Sequence, residues 1–460
     1  MDTVIQKQAN PGNAASNKYN AKNKGYQFRT IEYCTNCVTP NSRPRIEFDE
    51  KSVCNACKHA EKYKKIANWD EREQELRERI KWNLDRVPDR EYDCILGVSG
   101  GKDSTFQAWY LKNRLGLNVL AVTFTPLMPT PIGVHNLRNL LEKVGVDHIS
   151  INANIQVYAK LTKVNTLEHG DPFKPWFYGV WSGIARLAEQ KKIPLLFLGE
   201  NGEAEHGGSL KKEWNDLNSK EGINKRIRSD RLFFKTPEEW VDYGFTMAEL
   251  RPYLEPKVQG TVDRINLADY VPWNNNQHVH FALNVLGGFK LSKERTYGAY
   301  THSQGLDDWI DDLYFWLMYP KFGFTRANKY ASVDVREGKL TRDKAVELTR
   351  LYDGEFPWSS FDMALKVLDM AEDEFWEAIK KFVADKENLE KERQAALDAG
   401  VPESEIPDKV IVWEKIGPNK WRMIKTVHGE ERILEIPLPR PKDAGAHRIT
   451  NTLARSMHEI

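Results

Sequence analysis

Residues 92–105, with the sequence YDCILGVSGGKDST, constrain the fold more than any other stretch of the chain. The apolar run at 94–98 is typical of a buried strand, and it ends abruptly in a serine and two glycines at 99–101. A predicted helix follows over 106–115, opened by the polar residues 102–104. Paired glycines let successive backbone N–H groups point into one concavity, and a helix N-terminus adds positive potential. The stretch therefore predicts a strand, an anion-binding turn and a helix.

Two known phosphate-binding loops can be compared with this turn. A Walker A loop needs a glycine five residues before the Gly of its Gly-Lys pair and a Ser or Thr after the Lys. Those positions hold Leu96 and Asp103, so Walker A is excluded. Ser-Gly-Gly-x-Asp-Ser instead resembles the pyrophosphate loop of the PP-loop ATP pyrophosphatases, which cleave ATP to AMP and pyrophosphate. A glycine turn without a ligand is the alternative.

The resemblance implies a role for each residue of the loop. One carboxylate is sufficient for a magnesium ion that bridges phosphate oxygens. Pyrophosphate is assigned to Ser99, Gly100, Gly101 and Ser104, its charge to Lys102, and magnesium to Asp103, with Lys102, Asp103 and Ser104 as the catalytic set.

Strand-like segments at 118–124, 147–151 and 193–198 alternate with predicted helices, which indicates an α/β fold with a parallel sheet. Ligands of such sheets bind at the carboxyl ends of the strands. In the PP-loop fold, which is of the adenine nucleotide alpha-hydrolase type, the second strand end lines the adenine pocket and the loop after the fourth closes over nucleotide and substrate. The matching residues are Val122, Thr123 and Phe124, and Gly199, Glu200 and Asn201. Glu200 or Asn201 could instead cap the next helix.

Two CxxC pairs precede this core, Cys34 with Cys37 and, after sixteen intervening residues, Cys54 with Cys57. This pattern is typical of a four-thiolate zinc site, and four protein ligands leave no open position, so the zinc is expected to be structural. Two disulfides are the alternative, but thiols stay reduced in a cytoplasmic chain.

The sequence divides into six parts. We expect a flexible tail at 1–30, a zinc-ribbon-like unit at 31–66, a bridging helix at 67–90, the PP-loop domain at 91–260, a mainly helical substrate or partner domain at 261–385, and a linker-like C-terminal extension with a hairpin at 386–460. The irregular segment at 205–260 is either a mobile active-site loop or a surface insertion.

Candidate substrate residues lie in the second half of the chain. His278 and His280 could share one face of a strand, but with no carboxylate at metal-ligand spacing they do not indicate a metal site. Polar side chains between the sheet edge and the helical half are the expected substrate contacts, namely Asn201, His278, Tyr297, His302 and Arg326.

The amino-acid composition argues against nucleic acid and membranes as partners. The chain has 460 residues, 40% of them hydrophobic, and a formal charge of +1, so nothing drives it as a whole towards nucleic acid. No apolar window reaches 18 residues, and the N-terminus lacks the apolar core of a signal peptide. We expect a cytoplasmic protein that does not contact membranes.

The order of these parts, ending in FGFTRANKYASVDVREGKLTRDKAVELTRLYDG, resembles the bacterial N-acetyl sugar amidotransferases over about residues 31–385. The resemblance implies adenylation of the acetamido oxygen of an N-acetyl sugar or sugar nucleotide, pyrophosphate release, and replacement of AMP by ammonia. The product is an acetamidino sugar for surface polysaccharide, such as the O-antigen of lipopolysaccharide, or for flagellin glycan. The implied cofactors are ATP, Mg²⁺ and Zn²⁺.

Two alternatives remain. A tRNA-modifying PP-loop enzyme would want a basic face and, for thiolation, a reactive cysteine pair near the loop, whereas Cys94 alone lies outside the two CxxC pairs, within an apolar strand. A catalytically inactive nucleotide-binding regulator is the other.

The nitrogen source follows from the same cysteine count. Making ammonia from glutamine needs a nucleophilic cysteine at the mature N-terminus or on a nucleophile elbow, and position 2 is Asp2. A separate glutaminase subunit is therefore expected to supply ammonia, as the resemblance also implies.

Overall fold

The computed structural model describes residues 29–66, 68–199, 202–207, 237–254, 262–403, 406, 408–427 and 429–441. The expected tail at 1–30 therefore lies outside the described residues except for its last two, and so does most of the irregular segment at 205–260.

The N-terminal part contains little regular structure before its first helix. It comprises strand β1 (Arg29–Thr30), helix α1 (Asn55–Lys64) and helix α2 (Trp69–Asp85). Asn68 caps α2 by accepting hydrogen bonds from the N–H groups of Asp70 and Glu71. Leu76 and Ile80 of α2 are buried against the central sheet, so this helix forms part of the α/β core.

Five parallel strands form the central sheet, in the order β4-β3-β2-β5-β6. They are β2 (Cys94–Gly97), β3 (Val119–Phe124), β4 (Asp147–Ile151), β5 (Leu195–Leu198) and β6 (Asp263–Asn266). The chain moves outward from β2 to β4 on one side and returns to β5 and β6 on the other. The strand order therefore reverses between β2 and β5, which is where doubly wound folds bind ligands.

Helices cover both faces of this sheet. On one face, α2 packs with α3 (Lys102–Trp109) and α4 (Pro131–Val144). Then come α5 (Ile155–His169), α6 (Lys174–Tyr178) and α7 (Ile184–Gln190), and α7 packs on the opposite face. The shorter α8 (Gly202–His206) and α9 (Asn275–His280) follow. Because β2 is covered from both sides, its residues are apolar without alternation.

The helical half begins with α10 (Ile310–Phe322). It continues through α11 (Arg326–Arg336), α12 (Arg342–Tyr352), α13 (Trp358–Val367) and α14 (Glu372–Phe382). Thr341 caps α12 by accepting from the Lys344 N–H. Large aromatic side chains fill the core between these helices, among them Trp316, Phe361, Phe375 and Trp376. The predicted fold class, a parallel-sheet core with clustered cysteines and a helical C-terminal half, is confirmed.

The C-terminal extension corrects one expectation. Residues predicted to be linker-like form α15 (Lys386–Asp398), because Asp385 accepts a hydrogen bond of 2.8 Å from the Asn388 N–H and starts the helix. Four strands follow, β7 (Val410–Ile411), β8 (Trp413–Gly417), β9 (Lys420–Met423) and β10 (Ile433–Glu435). β8 and β9 form the predicted hairpin, and β7 pairs in parallel with β1.

No helix in the described part of the chain has the length and apolar character needed to cross a bilayer.

Candidate functional site

The glycine loop lies between β2 and α3, at the point where the strand order reverses. Gly101 is the N-cap of α3 and offers no side chain to the first N–H groups of the helix. The hydroxyls of Ser104 and Thr105 donate to the Gly101 carbonyl at 3.1 and 2.9 Å, and the Gly101 N–H donates to Ser99 Oγ at 3.3 Å. Hydrogen bonds within the loop thus stabilise its conformation, and the N–H groups at the helix N-terminus are left available to an anion.

Gly100 occupies a position that only glycine suits. Its φ is +86°, and a Cβ atom there would lie 2.4 Å from the backbone nitrogen of Leu137 and 2.9 Å from the Gly133 carbonyl. Both atoms belong to α4, whose backbone cannot move like a flexible side chain. The loop therefore requires glycine at position 100 for two reasons, the positive φ and the close approach of the loop to α4.

Asp103 lies between two basic side chains. Lys102 Nζ is 2.8 Å from Asp103 Oδ2, and His278 Nδ1 is 2.7 Å from Oδ1. Burial raises the pKa of Asp103, but Lys102 and His278 outweigh it and hold that pKa at about 2. Asp103 is thus ionised at neutral pH, and its half-buried carboxylate fits the magnesium ligand that the loop motif implies.

His278 is positioned by aromatic rings. Its imidazole stacks on Phe106 with 4.3 Å between centroids and lies edge-on to Trp273 at 4.5 Å. The residue belongs to helix α9, not to a strand as its spacing from His280 suggested. Asn274 starts that helix by accepting from the N–H groups of Asn276 and Gln277, a cap that the asparagine-rich sequence conceals.

Acidic and basic side chains of the helical half face the loop from the other side. Burial raises the pKa of Asp307, while a hydrogen bond from Ser99 and the charge of Lys102 oppose the shift. Burial also raises the pKa of Asp311 to about 6, opposed by Arg326. The loop and the start of α10 therefore form one charged site.

Arg326 is fully buried within this site. Its terminal nitrogens lie 2.7 Å from Asp311 Oδ2 and 2.9 Å from Asp312 Oδ1, and the guanidinium stacks over the ring of Phe315 at 4.4 Å. The Arg326 guanidinium is directed at these two carboxylates and orients them. The contact with a substrate that the sequence suggested stays a prediction.

A cavity opens beside the loop, under the carboxyl ends of β2, β3 and β5. The residues at its loop end include Ser99 and Ser104, and the strand-end residues include Val122, Phe124 and Gly199. Its other walls carry mostly apolar and aromatic side chains, among them Leu96, Val98, Trp176, Val180, Trp181, Ile184 and Phe197. The cavity thus joins the glycine loop at the N-terminus of α3 to a space suited to a flat apolar ring.

The remaining candidates are distributed differently. Thr123 does not line the cavity, because its hydroxyl donates to the Val98 carbonyl at 2.7 Å and lies 2.9 Å from His148 Nε2. Tyr297 is half-buried, 3.2 Å from the Ser359 hydroxyl, and buried His302 lies 3.1 Å from the Ser292 carbonyl oxygen. Glu200 and Asn201 lie outside the described residues.

The four cysteines of the CxxC pairs come together as a compact buried cluster. Their sulfur atoms all lie within 4.8 Å of one another, with Cys34 and Cys57 3.9 Å apart and Cys37 and Cys54 3.7 Å apart. Two thiolates each about 2.3 Å from a tetrahedral zinc ion are about 3.8 Å apart. All five cysteines are free thiols, which excludes the disulfide alternative in this structure. The cluster therefore has the geometry of a tetrahedral metal site.

Contacts from distant helices surround the cysteine cluster. Arg336 of α11 approaches Cys37 Sγ at 3.6 Å and donates to the Glu205 carbonyl at 2.8 Å. Arg342 at the start of α12 donates to the carbonyls of Cys34 and Cys37. The cysteine cluster thus connects the segment after β5 with the helical half.

The residues predicted from the sequence do not include the acidic side chains at the start of α10, nor Gln107 and Trp176 of the cavity. The run DDWIDD at 307–312, which places four acids around the start of an apolar helix, is a signal in the sequence for these residues. Gln107 and Trp176 carry no comparable pattern, since only the fold brings them to the cavity.

Fold and site together define a doubly wound α/β protein that has a glycine loop at its switch point, with a four-cysteine unit and a helical half attached. For one region of the chain, a known protein family also matches. Residues 294–399 match the family model described as LPS biosynthesis protein WbpG-like, C-terminal domain.

Other similar proteins align with only part of this chain. The uncharacterized protein MJ1599 of Methanocaldococcus jannaschii is 31% identical over 120 residues, which span 26% of this chain and 42% of that relative. The NH3-dependent NAD synthetase of Campylobacter jejuni aligns with 40% of this chain and 91% of its own, at 18% identity and a TM-score of 0.23. The NMN synthetase of Francisella tularensis aligns with 50% and 99%, at 17% identity and the same TM-score of 0.23. The fold assignment rests on the strand order and connections described above.

Proposed function

We propose that the protein is an ATP-dependent amidotransferase that converts the acetamido group of an N-acetyl sugar into an acetamidino group for surface polysaccharide or flagellin glycan. The observation that carries the proposal is the Ser-Gly-Gly-Lys-Asp-Ser loop at the switch point, joined to a cavity and facing a charged helical half. The match of residues 294–399 to an LPS biosynthesis domain supports the polysaccharide context.

The chemistry explains why such a site needs ATP. An amide carbonyl is a poor electrophile, so its oxygen must become a leaving group before ammonia can replace it. Attack of that oxygen on the α-phosphorus forms the adenylated intermediate and releases pyrophosphate; ammonia then adds to the carbon and AMP leaves. This route requires positioning and charge stabilisation but no covalent nucleophile.

Each element of the site has a place in this proposal. The loop residues Ser99, Gly100, Gly101 and Ser104 hold the pyrophosphate portion, and Lys102 balances its charge. Asp103 would hold magnesium, which neutralises phosphate charge when bound. Asp307 and Asp311 lie across from the loop, where the uncharged amide becomes a cationic amidine, and carboxylates favour that change of charge.

Ammonia is proposed to come from a separate glutaminase subunit. Four of the five cysteines lie in the metal-type cluster, and burial raises the pKa of the Cys94 thiol in β2. None of these thiols is placed as a nucleophile for glutamine. Because the reaction consumes ATP, we place it in the cytoplasm.

Product analysis by mass spectrometry tests the proposal. Purified protein is incubated with ATP, magnesium, an ammonium salt and candidate acetamido sugars or their nucleotide conjugates. We expect AMP, pyrophosphate and a sugar product about 1 Da lighter, since NH replaces O. Release of ADP and orthophosphate, or modification of tRNA in place of any acetamido sugar, would contradict it.

The nitrogen source is tested in the same assay. At a fixed total concentration of ammonium, activity should rise with pH, because free ammonia is the nucleophile. Glutamine should act as the nitrogen donor only after the glutaminase subunit is added. Glutamine-dependent product formation by the purified chain alone would exclude a separate glutaminase.

A further inference from the structure

A buried side-chain amide lies in the wall of the cavity beside the loop. Gln107 lies on α3 one turn beyond Ser104, is 4% exposed and lines that cavity. Its Oε1 atom has no hydrogen-bond partner among the described residues. Buried polar groups are rarely left unpaired, and an unpaired one calls for an explanation. In a cavity, a ligand atom that completes the hydrogen bond is such an explanation.

Two neighbours reinforce this interpretation. A Cβ atom on Gly199 would lie 2.7 Å from Gln107 Nε2, so glycine at the end of β5 leaves room for the amide. Trp176 also lines the cavity, and its buried indole N–H has no hydrogen-bond partner in the described part of the chain. The residues with side-chain N–H donors in this cavity wall, which is otherwise mostly apolar away from the loop serines, are therefore Gln107, Trp176, Trp181 and Arg264.

We infer that the Gln107 side-chain amide recognises the nucleotide base by hydrogen bonding to its edge. The inference rests on the proposed function, because Ser99 and Ser104 belong both to the loop and to the cavity, so a nucleotide with its phosphates at the loop can place its base inside. A glutamine amide pairs with adenine by accepting from N6–H and donating to a ring nitrogen. The Trp176 N–H can serve a second ring nitrogen.

Replacing the amide by a carboxylate distinguishes base reading from a structural role. Gln107→Glu keeps the shape but offers only acceptors, which suit the adjacent N1–H and N2–H donors of guanine and repel the ring nitrogen of adenine. A bidentate contact of this kind contributes roughly 5- to 150-fold in discrimination. We expect Gln107→Glu to lower the affinity for ATP and raise that for GTP, and Gln107→Leu to lower both.

The measurement is isothermal titration calorimetry of the full-length protein with magnesium-ATP and magnesium-GTP. Gln156→Glu is the matched control, because Gln156 is exposed on α5. The same change there should leave the preference for ATP over GTP as it is in the wild-type protein. A folded Gln107→Glu variant that keeps the wild-type preference would overturn the inference.

An analogue makes the test independent of variant folding. N6,N6-dimethyl-ATP lacks the N6–H donors, and wild-type protein should bind it at least about tenfold more weakly than ATP. Equal affinity for the two would overturn base reading by Gln107 while leaving ATP use intact. Failure of wild-type protein to bind ATP at all would instead remove the proposed function, and this inference with it.

Discussion

Asp103 carries the negative charge at the centre of the site, between Lys102 and His278. Its pKa of about 2 means that it is ionised at any pH at which the protein is assayed. Asp103→Asn keeps the shape and removes the charge, so we expect turnover to fall at least about 100-fold with little change in Tm. Exposed Asp89 provides the control: Asp89→Asn should keep full turnover. Turnover of the Asp103 variant within a few-fold of wild type would contradict the role.

The environment of Asp308 predicts that the stability of the protein depends on pH. Burial, with Asp307 and Asp311 nearby, raises its pKa to about 8, and its Oδ2 atom has no partner among the described residues. An unfolded Asp releases its proton near pH 4, so between about pH 4 and pH 8 only the folded state keeps that proton. The contribution of Asp308 to the free energy of unfolding therefore falls as pH rises through this window.

Asp308→Asn should remove that loss, since the amide oxygen can still accept from the Ile310 N–H. The Tm of the variant relative to wild type is expected to increase from pH 5 to pH 8, measured by differential scanning calorimetry in matched buffers. A Tm difference that does not change with pH would show that the Asp308 carboxyl titrates alike in both states.

At the scale of elements, the glycine loop depends on its contact with α4. Gly100→Ala would combine a strained positive φ, which costs on the order of 1–3 kcal/mol, with a clash against the α4 backbone. Gly116 is a matched control, because its φ is +73° but nothing lies within 4 Å of the position that a Cβ atom would take. We expect Gly100→Ala to lower Tm more than Gly116→Ala and to weaken ATP binding, and equal effects of the two would contradict the packing argument.

Elements whose signals are local could be predicted from the sequence. The strand before the loop and the β8–β9 hairpin each depend on adjacent residues, and both were predicted. The contact between Asp103 and His278 was not, because it joins residues 175 positions apart. Likewise, nothing near Arg326 in sequence shows that its fork binds the acids of α10.

At the scale of the whole molecule, the cysteine cluster supports more than its own unit. Cys54→Ser should remove zinc and, since structural zinc contributes on the order of 10 kcal/mol in small domains, lower stability sharply. Because Arg336 and Arg342 contact the cluster, amide exchange should also accelerate in α11 and α12.

Metal analysis and hydrogen–deuterium exchange mass spectrometry measure the two effects. Cys94→Ala is the control, since it removes a buried thiol outside the cluster and should keep the zinc content of wild type. Wild-type protein that binds no zinc when fully reduced would exclude the zinc site.

The pairing of β1 with β7 has a consequence for synthesis on the ribosome. Arg29 pairs with Val410, so some 380 residues must follow the first strand before its partner is made. At about 5–20 residues per second, translation takes roughly 20 to 80 s to cover that distance. During that interval the nascent N-terminal segment has an unpaired backbone edge next to its cysteines, and a chaperone or early metal loading would protect it from misassembly.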